Sequence, residues 1–588
     1  MTLGRIGHRL WRYRWLSRTA LAVSGAAGVY AYDKHFQASA LARTARTFKD
    51  IAAICIDYKL NFRTERGVEH LNMIHERGAK RLLRCCQENG GMFIKFGQSI
   101  ALQGPLLPPA YGRELSVLYD NAPFVPVAEI APVIERNFPG STLDDLFVDF
   151  SQEAVASASV AQVHTARLRR DPTQLVAVKV QKPEIKHQIA WDLFAFRTCA
   201  LVIEKAFGIP MMWSVSEVEQ RLREETDFER EGHNADRAQD DLNKLADRWL
   251  RSSVYIPKVH WEETRREVLT TEWIDGTSMV EPKRLTSQGW SEKDIMNLVV
   301  SVFAFQIFVS GNVHGDPHPG NILVRQHPQY KSRPQLVLLD HGLYIRESRQ
   351  FRKQYAEFWR AAMIGDNASM RNIVRHWGFG DTDMFSTMIS LRPPTLTGHP
   401  HMHKLQQQAE QNGDDGSHST KDAYKEQMEF KRRAIAALKG TRKLPQELVF
   451  VSRNMNIVRA SNRSMGIPVN RIKILGHYAA YGLHQMLVDD ALSPNRRFDR
   501  VRGVVSSREM LLSRFLGLIV AEWSYLTFNI AVTVASTSMA LYEGASWIWS
   551  LITGNSRRLD SESLLDENMQ KMIERKLGYK IDTSLFSA

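Results

Sequence analysis

"GNVHGDPHPGNILV", Gly311–Val324, and "LLDHG", Leu338–Gly342, decide how this chain is read. The first stretch packs His, Asp and Asn among prolines and glycines just before an apolar, strand-like run. The second ends an apolar run on Asp340. Turn chemistry alone accounts for each short piece, because Asp-Pro, Pro-Gly and Asp-His-Gly all favour tight turns. Together they offer more. Asp316 supplies a carboxylate able to take a proton, and Asn321 and Asp340 supply two hard oxygen donors suited to magnesium beside a phosphate.

Handling of a nucleotide phosphate calls for a cation further upstream. "LVAVKVQ", Leu175–Gln181, carries Lys179 near the end of an apolar strand, and a buried ammonium there requires a carboxylate or phosphate partner. The order matches the protein-kinase set: the strand Lys of V-A-I-K, then H-R-D with an Asn five positions after its Asp, then the magnesium-binding Asp of D-F-G. His314-Gly315-Asp316 stands in place of H-R-D, and Asp316 to Asn321 keeps the interval of five. Lys, Asp, Asn and Asp in this order, each beside a predicted strand, are hard to obtain from turns alone. Three parts depart from the kinase pattern. The stretch before the Lys strand, "ASASVAQVH", Ala156–His164, contains no glycine. Gly315 replaces the Arg of H-R-D, so no phosphorylated activation loop is expected to dock there. No A-P-E follows Asp340, so a platform for a peptide substrate is missing.

With these motifs in view, the chain resembles the UbiB family of atypical kinase-like proteins, also called aarF-domain-containing kinases, and within it the mitochondrial branch. The resemblance covers about residues 60–480. It implies an α+β, atypical protein-kinase-like two-lobed fold with N-terminal family-specific helices and a mostly helical C-terminal lobe. The family's K-x-G-Q motif is matched by "KFGQ", with Lys95 and Gln98 on one helix face. Its Ala-rich loop is matched, in a departed form, by Ala156-Ser157-Ala158-Ser159, and its E-x-D by Glu225-Thr226-Asp227. The resemblance assigns Lys95, Gln98, Glu225 and Asp227 to restricting the cleft, and Glu231 to pairing with Lys179. On its own, "EETDFEREGHNADR", Glu224–Arg237, reads as a solvated helix face. The implied activity is that of an ATPase, or of a small-molecule or lipid kinase, supporting coenzyme Q and lipid homeostasis. ATP and magnesium are the implied cofactors, the inner mitochondrial membrane the implied location, and a small molecule or lipid the acceptor. Catalysis falls to Asp316 and Lys179, nucleotide binding to Ala156–Ser159, Lys179 and Glu231, and the metal to Asn321 and Asp340. A catalytically silent, nucleotide-sensing scaffold is the alternative.

The rest of the chain fits around this centre. Its 588 residues exceed one core. A hydrophobic share of 44% is that of a globular protein, and the surplus of +13 suits a membrane or phosphate ligands. No dense basic run with interleaved aromatics occurs, which argues against nucleic acid. Cys55, Cys85, Cys86 and Cys199 form neither C-x-x-C nor a zinc spacing. Residues 1–18 carry Arg5, Arg9, Arg12, Arg14 and Arg18 without an acid, as a mitochondrial targeting segment does. Residues 19–32 are uncharged and edged by aromatics, readable as a transmembrane segment or as a buried helix. The arginines before it orient the body toward the intermembrane space. The expected domains are a helical K-x-G-Q extension over 60–150, an N-lobe over 151–280 and a C-lobe over 281–492, with a polar, disordered insert at about 397–422. Two strand pairs are predicted in the N-lobe, one turning at Asp171-Pro172 and one formed by "YIPKVHWEE" and "EVLTTEWIDG". The apolar stretch 515–553 crosses a membrane, lies on one, or packs on the body.

Overall fold

The computed structural model describes residues 31–33, 39–63, 68–101, 108–119, 124–208, 212–364, 366–377, 445–492 and 507–553. Segment 1–18, nearly all of 19–32, and the insert at 397–422 lie outside the described residues. The chain divides into two compact units, Met1–Glu229 with Trp261–Thr270, and Arg230–His260 with Thr271–Ala588.

In the first unit, helices α1 (Ala40–Asn61), α2 (Val68–Asn89) and α3 (Met92–Ala101) precede the sheet. Gly90 and Gly91, both at positive φ (63° and 52°), let the chain turn sharply between α2 and α3. Helix α4 (Val127–Asn137) follows, then β1 (Phe147–Val148), β2 (Ala156–Ser157), β3 (Ala161–Leu168) and β4 (Leu175–Gln181), then α5 (Ile185–Phe207) and α6 (Met212–Glu224). Apolar residues alternate along β4, so Val176, Val178 and Val180 are fully buried on one face against Ile130, Val133 and Ile134 of α4. Each such burial is worth about 1.5–3 kcal/mol. Lys179 is thereby turned to the other face. A buried ion pair ties α1 to α5, Arg43 to Asp192 at 2.5 Å. Arg43 also donates to the carbonyl of Asn89. Burial, opposed by the Arg43 charge, pushes the Asp192 carboxyl up to about 6.

The chain continues through α7 (Phe228–Asn243), β5 (Val254–Tyr255) and β6 (Val268–Glu272). The Asp171-Pro172 turn joins β3 and β4 as expected, with Gln174 N–H donating to Asp171 at 3.0 Å. The second expected pair does not form a hairpin. β6 joins the five-stranded sheet in the order β1-β3-β4-β6, with β2 on β3, whereas β5 pairs in parallel with a strand some eighty residues later. Between them Trp261–Glu263 makes a single 3-10 turn, and the bridge Val259↔Thr271, with Glu272 N–H donating to the Lys258 carbonyl at 2.9 Å, stands in place of a ladder.

In the second unit, β7 (Thr277–Ser278) and helix α8 (Glu292–Phe305) lead to β8 (Asn312–His314), β9 (Ile322–Gln326), β10 (Pro334–Leu338) and β11 (Tyr344–Arg346). β5-β10-β9-β7 form one sheet and β11-β8 another. α8 starts at Ser291, whose side chain accepts from Asp294 N–H, and is buried throughout Leu298–Phe305. It passes into a π turn at Gln306–Ser310 and stops at Gly311, φ 72°. Glu292–Ser310 is apolar enough to cross a membrane, but being 72% buried it is the core helix of this unit. Helices α9 (Arg349–Ile364), α10 (Gln446–Ser464), α11 (Arg471–Leu492) and α12 (Ser507–Thr553) complete it. α12 lies along α11, where a Cβ on Gly476 would come within 2.9 Å of Val532.

Candidate active site

The first unit holds Lys95, Gln98, Ala156–Ser159, Lys179, Glu225 and Asp227; the second holds Glu231, Asp316, Asn321 and Asp340.

In the first unit, Ala156 and Ser157 form β2, and Ala158 N–H donates to the Ala161 carbonyl at 2.8 Å. The stretch without glycine is therefore a tight β2–β3 turn. Ser159 in this turn is buried, and its hydroxyl has no hydrogen-bond partner. Such an atom fits a ligand oxygen, because leaving it unpaired costs about 1–3 kcal/mol. Lys179 extends its Nζ over the Phe228 ring, 5.1 Å from the centroid. The KFGQ helix is α3. Gln98 Nε2 donates to the Leu118 carbonyl at 2.8 Å, and Lys95 Nζ lies 3.5 Å from Glu225. Gly97 is required by close packing, since a Cβ there would meet Leu118 at 2.2 Å. The contact that the resemblance gives to the E-x-D carboxylates is thus present for Glu225; Asp227 lies 3.9 Å from Arg266.

In the second unit, the loop 315–321 joins β8 to β9, and the turn 339–343 joins β10 to β11. The ladders bring them together. Leu338 pairs with Ile322, Tyr344 with His314, and Leu339 N–H donates to the Asn321 carbonyl at 3.0 Å. Asn321 and Asp340 are therefore held side by side. His314 crosses between the two segments. Its Nδ1 accepts from Asp316 N–H at 3.0 Å and its Nε2 bonds the Asp340 carbonyl at 2.8 Å. Since a carbonyl only accepts, the ring is the neutral Nε2–H tautomer. Burial agrees with this, lowering the His314 pKa against the charges of Asp340 and Asp316. Gly315 N–H donates to Leu343 at 2.8 Å.

The turn after Asp340 is fixed by the residue that replaces the Phe of D-F-G. His341 is buried with Nε2 on the Leu338 carbonyl at 3.1 Å and Nδ1 on the Tyr344 hydroxyl at 3.0 Å. Asp340 Oδ1 accepts from Gly342 N–H at 2.9 Å. A Cβ on Gly342 would lie 3.2 Å from that oxygen and 3.8 Å from Glu231 Oε2, so both carboxylates flank this glycine. Glu231 is buried on α7, and one turn on Asn234 donates to the His341 carbonyl at 3.0 Å. The oxygens of Asn321 and Asp340 are of the donor type that magnesium beside phosphates accepts. Among the described residues no cluster of three or more His, Cys, Asp or Glu is arranged to hold a metal ion. A cation at Asn321 and Asp340 would thus need ligand oxygens to complete its shell.

Two neighbouring residues on α10 were not singled out by the sequence. Arg453 lies 3.3 Å from Asp316 Oδ1, and Asn454, buried, donates to the His314 carbonyl at 2.8 Å. A cation thus stands beside Asp316 although the Arg of H-R-D is absent. The sequence gives them no signal of their own, since polar and charged residues recur along the whole of Gln446–Ser464.

A family model described as "ABC1 atypical kinase-like domain" matches residues 117–374. "ABC1 family protein C10F6.14c" of Schizosaccharomyces pombe is 36% identical over 79% of this chain and 84% of its own length. "ABC1 family protein lscO" of Purpureocillium lilacinum is 35% identical over 83% of each chain. "AarF domain-containing protein kinase 1" of Xenopus laevis is 34% identical over 60% of this chain and 67% of its own.

Proposed function

Because this chain belongs to the ABC1 (UbiB, aarF-domain) family of atypical kinase-like proteins, we propose that it is a magnesium-dependent ATPase or kinase acting on a small molecule or lipid. The observation that carries the reading is the His314 bridge, which ties the Asp316 backbone to the Asp340 carbonyl while Leu339 ties down Asn321. Lys179 and the Ala156–Ser159 turn take the nucleotide phosphates, with Glu231 as the carboxylate partner of the lysine. Asn321 and Asp340 hold magnesium. When bound, the metal neutralises phosphate charge. Asp316 takes the proton of the acceptor hydroxyl or orients a water, and its fixed backbone supplies the positioning on which phosphoryl transfer depends. Lys95, paired with Glu225, and Gln98 keep peptides out, which favours a compact acceptor. In the cell we place this activity at the inner mitochondrial membrane, anchored by 19–32 with the body in the intermembrane space, in support of lipid and coenzyme Q homeostasis.

Phosphate release from the purified full chain tests the reading. Asp316→Asn should abolish turnover and leave magnesium-ATP binding near that of the wild type. Asp340→Asn should weaken binding itself, read as a smaller thermal shift with magnesium-ATP. If the wild-type chain binds magnesium-ATP but releases no more phosphate than Asp316→Asn, the alternative of a silent nucleotide-sensing scaffold takes its place.

A further inference from the structure

We propose that the outward face of α12 is a membrane-contact surface, the helix lying in the plane of one bilayer leaflet. This goes beyond the nucleotide chemistry and beyond the 19–32 segment, and it concerns the second unit alone. Ala521, Ser524, Phe528 and Val532 are buried against that unit. On the opposite side Leu512, Leu516, Trp523, Ile530, Val534 and Leu541 are all more than half exposed, with Trp523 at 67% and Leu541 at 70%. At 3.6 residues per turn these six fall within about 40° of one another. A surface helix of a soluble protein carries one apolar stripe; α12 carries two, and the protein covers one.

Three observations commit the second stripe to lipid. The polar groups that interrupt the outward half close on their own helix. Thr527, Thr533 and Thr537 hydroxyls donate to the carbonyls of Trp523, Asn529 and Thr533 at 2.9, 2.8 and 2.8 Å, and Asn529 donates to Tyr525 at 3.0 Å. That is how polar groups are satisfied where no water is available. Charge is placed to match: Trp523–Tyr542 contains none, and Glu522, at the edge of the stripe, meets His484 of α11 at 2.9 Å. The preceding sequence carries Arg496, Arg497, Arg500, Arg502, Arg508 and Arg514 against Asp499 and Glu509, a surplus suited to anionic headgroups. Finally, the apolar window Arg514–Ser538 is 25 residues long, enough to span. Yet its other side is locked to α11 at Gly476 and Val532, so it cannot be surrounded by lipid as a crossing helix is. An in-plane helix buried to roughly 5–10 Å meets all three conditions.

The test uses the full chain carrying Ile530→Cys, labelled with an environment-sensitive NBD dye. Cys55, Cys85, Cys86 and Cys199 are all buried, so labelling selects the new thiol. Lys473→Cys, exposed on α11, is the control. On phosphatidylcholine–phosphatidylglycerol vesicles, the 530 label should shift to the blue and be quenched by doxyl lipids while the 473 label does neither. Leu516→Asp with Val534→Asp should abolish that shift, each exchange costing about tenfold or more in partitioning, with the magnesium-ATP thermal shift intact as proof of folding. A 530 label that stays water-exposed while the protein co-sediments with vesicles overturns the proposal. So does a blue shift that appears without vesicles as the protein dimerises, because the stripe then belongs to a second copy.

Discussion

Gly315 occupies the position where a kinase carries the Arg of H-R-D, and the packing around it forbids any side chain. A methyl group there would lie 2.6 Å from Leu343 Cγ, 2.7 Å from its Cδ2 and 3.3 Å from its carbonyl oxygen. Carbon atoms settle at about 3.5–4.0 Å, so Leu343 must retreat by roughly 1 Å. It is buried, and its carbonyl accepts the Gly315 N–H, so the retreat also strains the β8–β11 ladder. Overpacking costs about 1–3 kcal/mol and a weakened hydrogen bond about 1 kcal/mol. Gly315→Ala should therefore lose about 2–3 kcal/mol, a fall in Tm of roughly 3–4 °C for a unit of this size. Because Asp316 is the next residue, turnover should drop more than nucleotide affinity. The steric argument is checked by a double-mutant cycle with Leu343→Ala, which frees the space that the methyl needs. The pair should be less damaging than the sum of its parts by at least about 1 kcal/mol. Additive losses, or a Gly315→Ala melting within a degree of wild type, would refute the reasoning.

Three further outcomes are expected. Since burial lowers the His314 pKa below its ordinary 6.5, the unfolded chain takes up a proton there that the native state refuses. The stability held above about pH 6.5 is thus lost as pH falls toward the native value, with a slope of at most about 1.4 kcal/mol per pH unit from this residue; His314→Asn should flatten that slope in denaturation measured across pH. Arg453→Met should cut turnover while changing stability by less than about 1 kcal/mol, because the pair with Asp316 is partly exposed; Arg453→Lys should restore part of the rate in the phosphate-release assay. Gly482→Ala should be the harshest single-methyl change in the second unit, with its Cβ 2.0 Å from the Phe308 carbonyl oxygen and 2.7 Å from its carbon. A backbone obstacle cannot rotate away, so a loss of about 3 kcal/mol or more is expected, whereas Gly544→Ala, with nothing within 4 Å, should be neutral or stabilising in the same melt.

What the sequence revealed and what it concealed divide along one physical line. The β3–β4 hairpin and Lys179 were legible because alternation and a turn are local signals. The loop and turn that carry Asp316, Asn321 and Asp340 stood out because a short stretch of chain concentrates polar groups among turn residues. The pairing of β5 with β10 was not, since Val254 and Leu336 find each other across some eighty residues and nothing in either marks the other. Glu231 and Asn234 sit in a mostly polar run, and composition alone puts such a run in water; both are buried, Asn234 against the His341 carbonyl, a partner supplied from far along the chain. The resemblance singles out Glu231 and not Asn234. Arg453 and Asn454 escaped for the same reason, their partners being His314 and Asp316.

The interrupted course of the chain bears on how the protein is made. The first unit needs Trp261–Thr270, yet Arg230–His260, which belongs to the second, is translated in between. When β4 leaves the ribosome, the strand that covers its edge has not been synthesised; β6 follows about ninety residues later, a delay of roughly 4–18 s at ordinary elongation rates of about 5–20 residues per second. Through that interval β4 presents unpaired N–H and C=O groups beside a valine-rich face, the kind of surface that other nascent chains can pair with. A fragment ending at Glu229 would hold that state permanently, so it should aggregate where a chain extended past Thr270 does not.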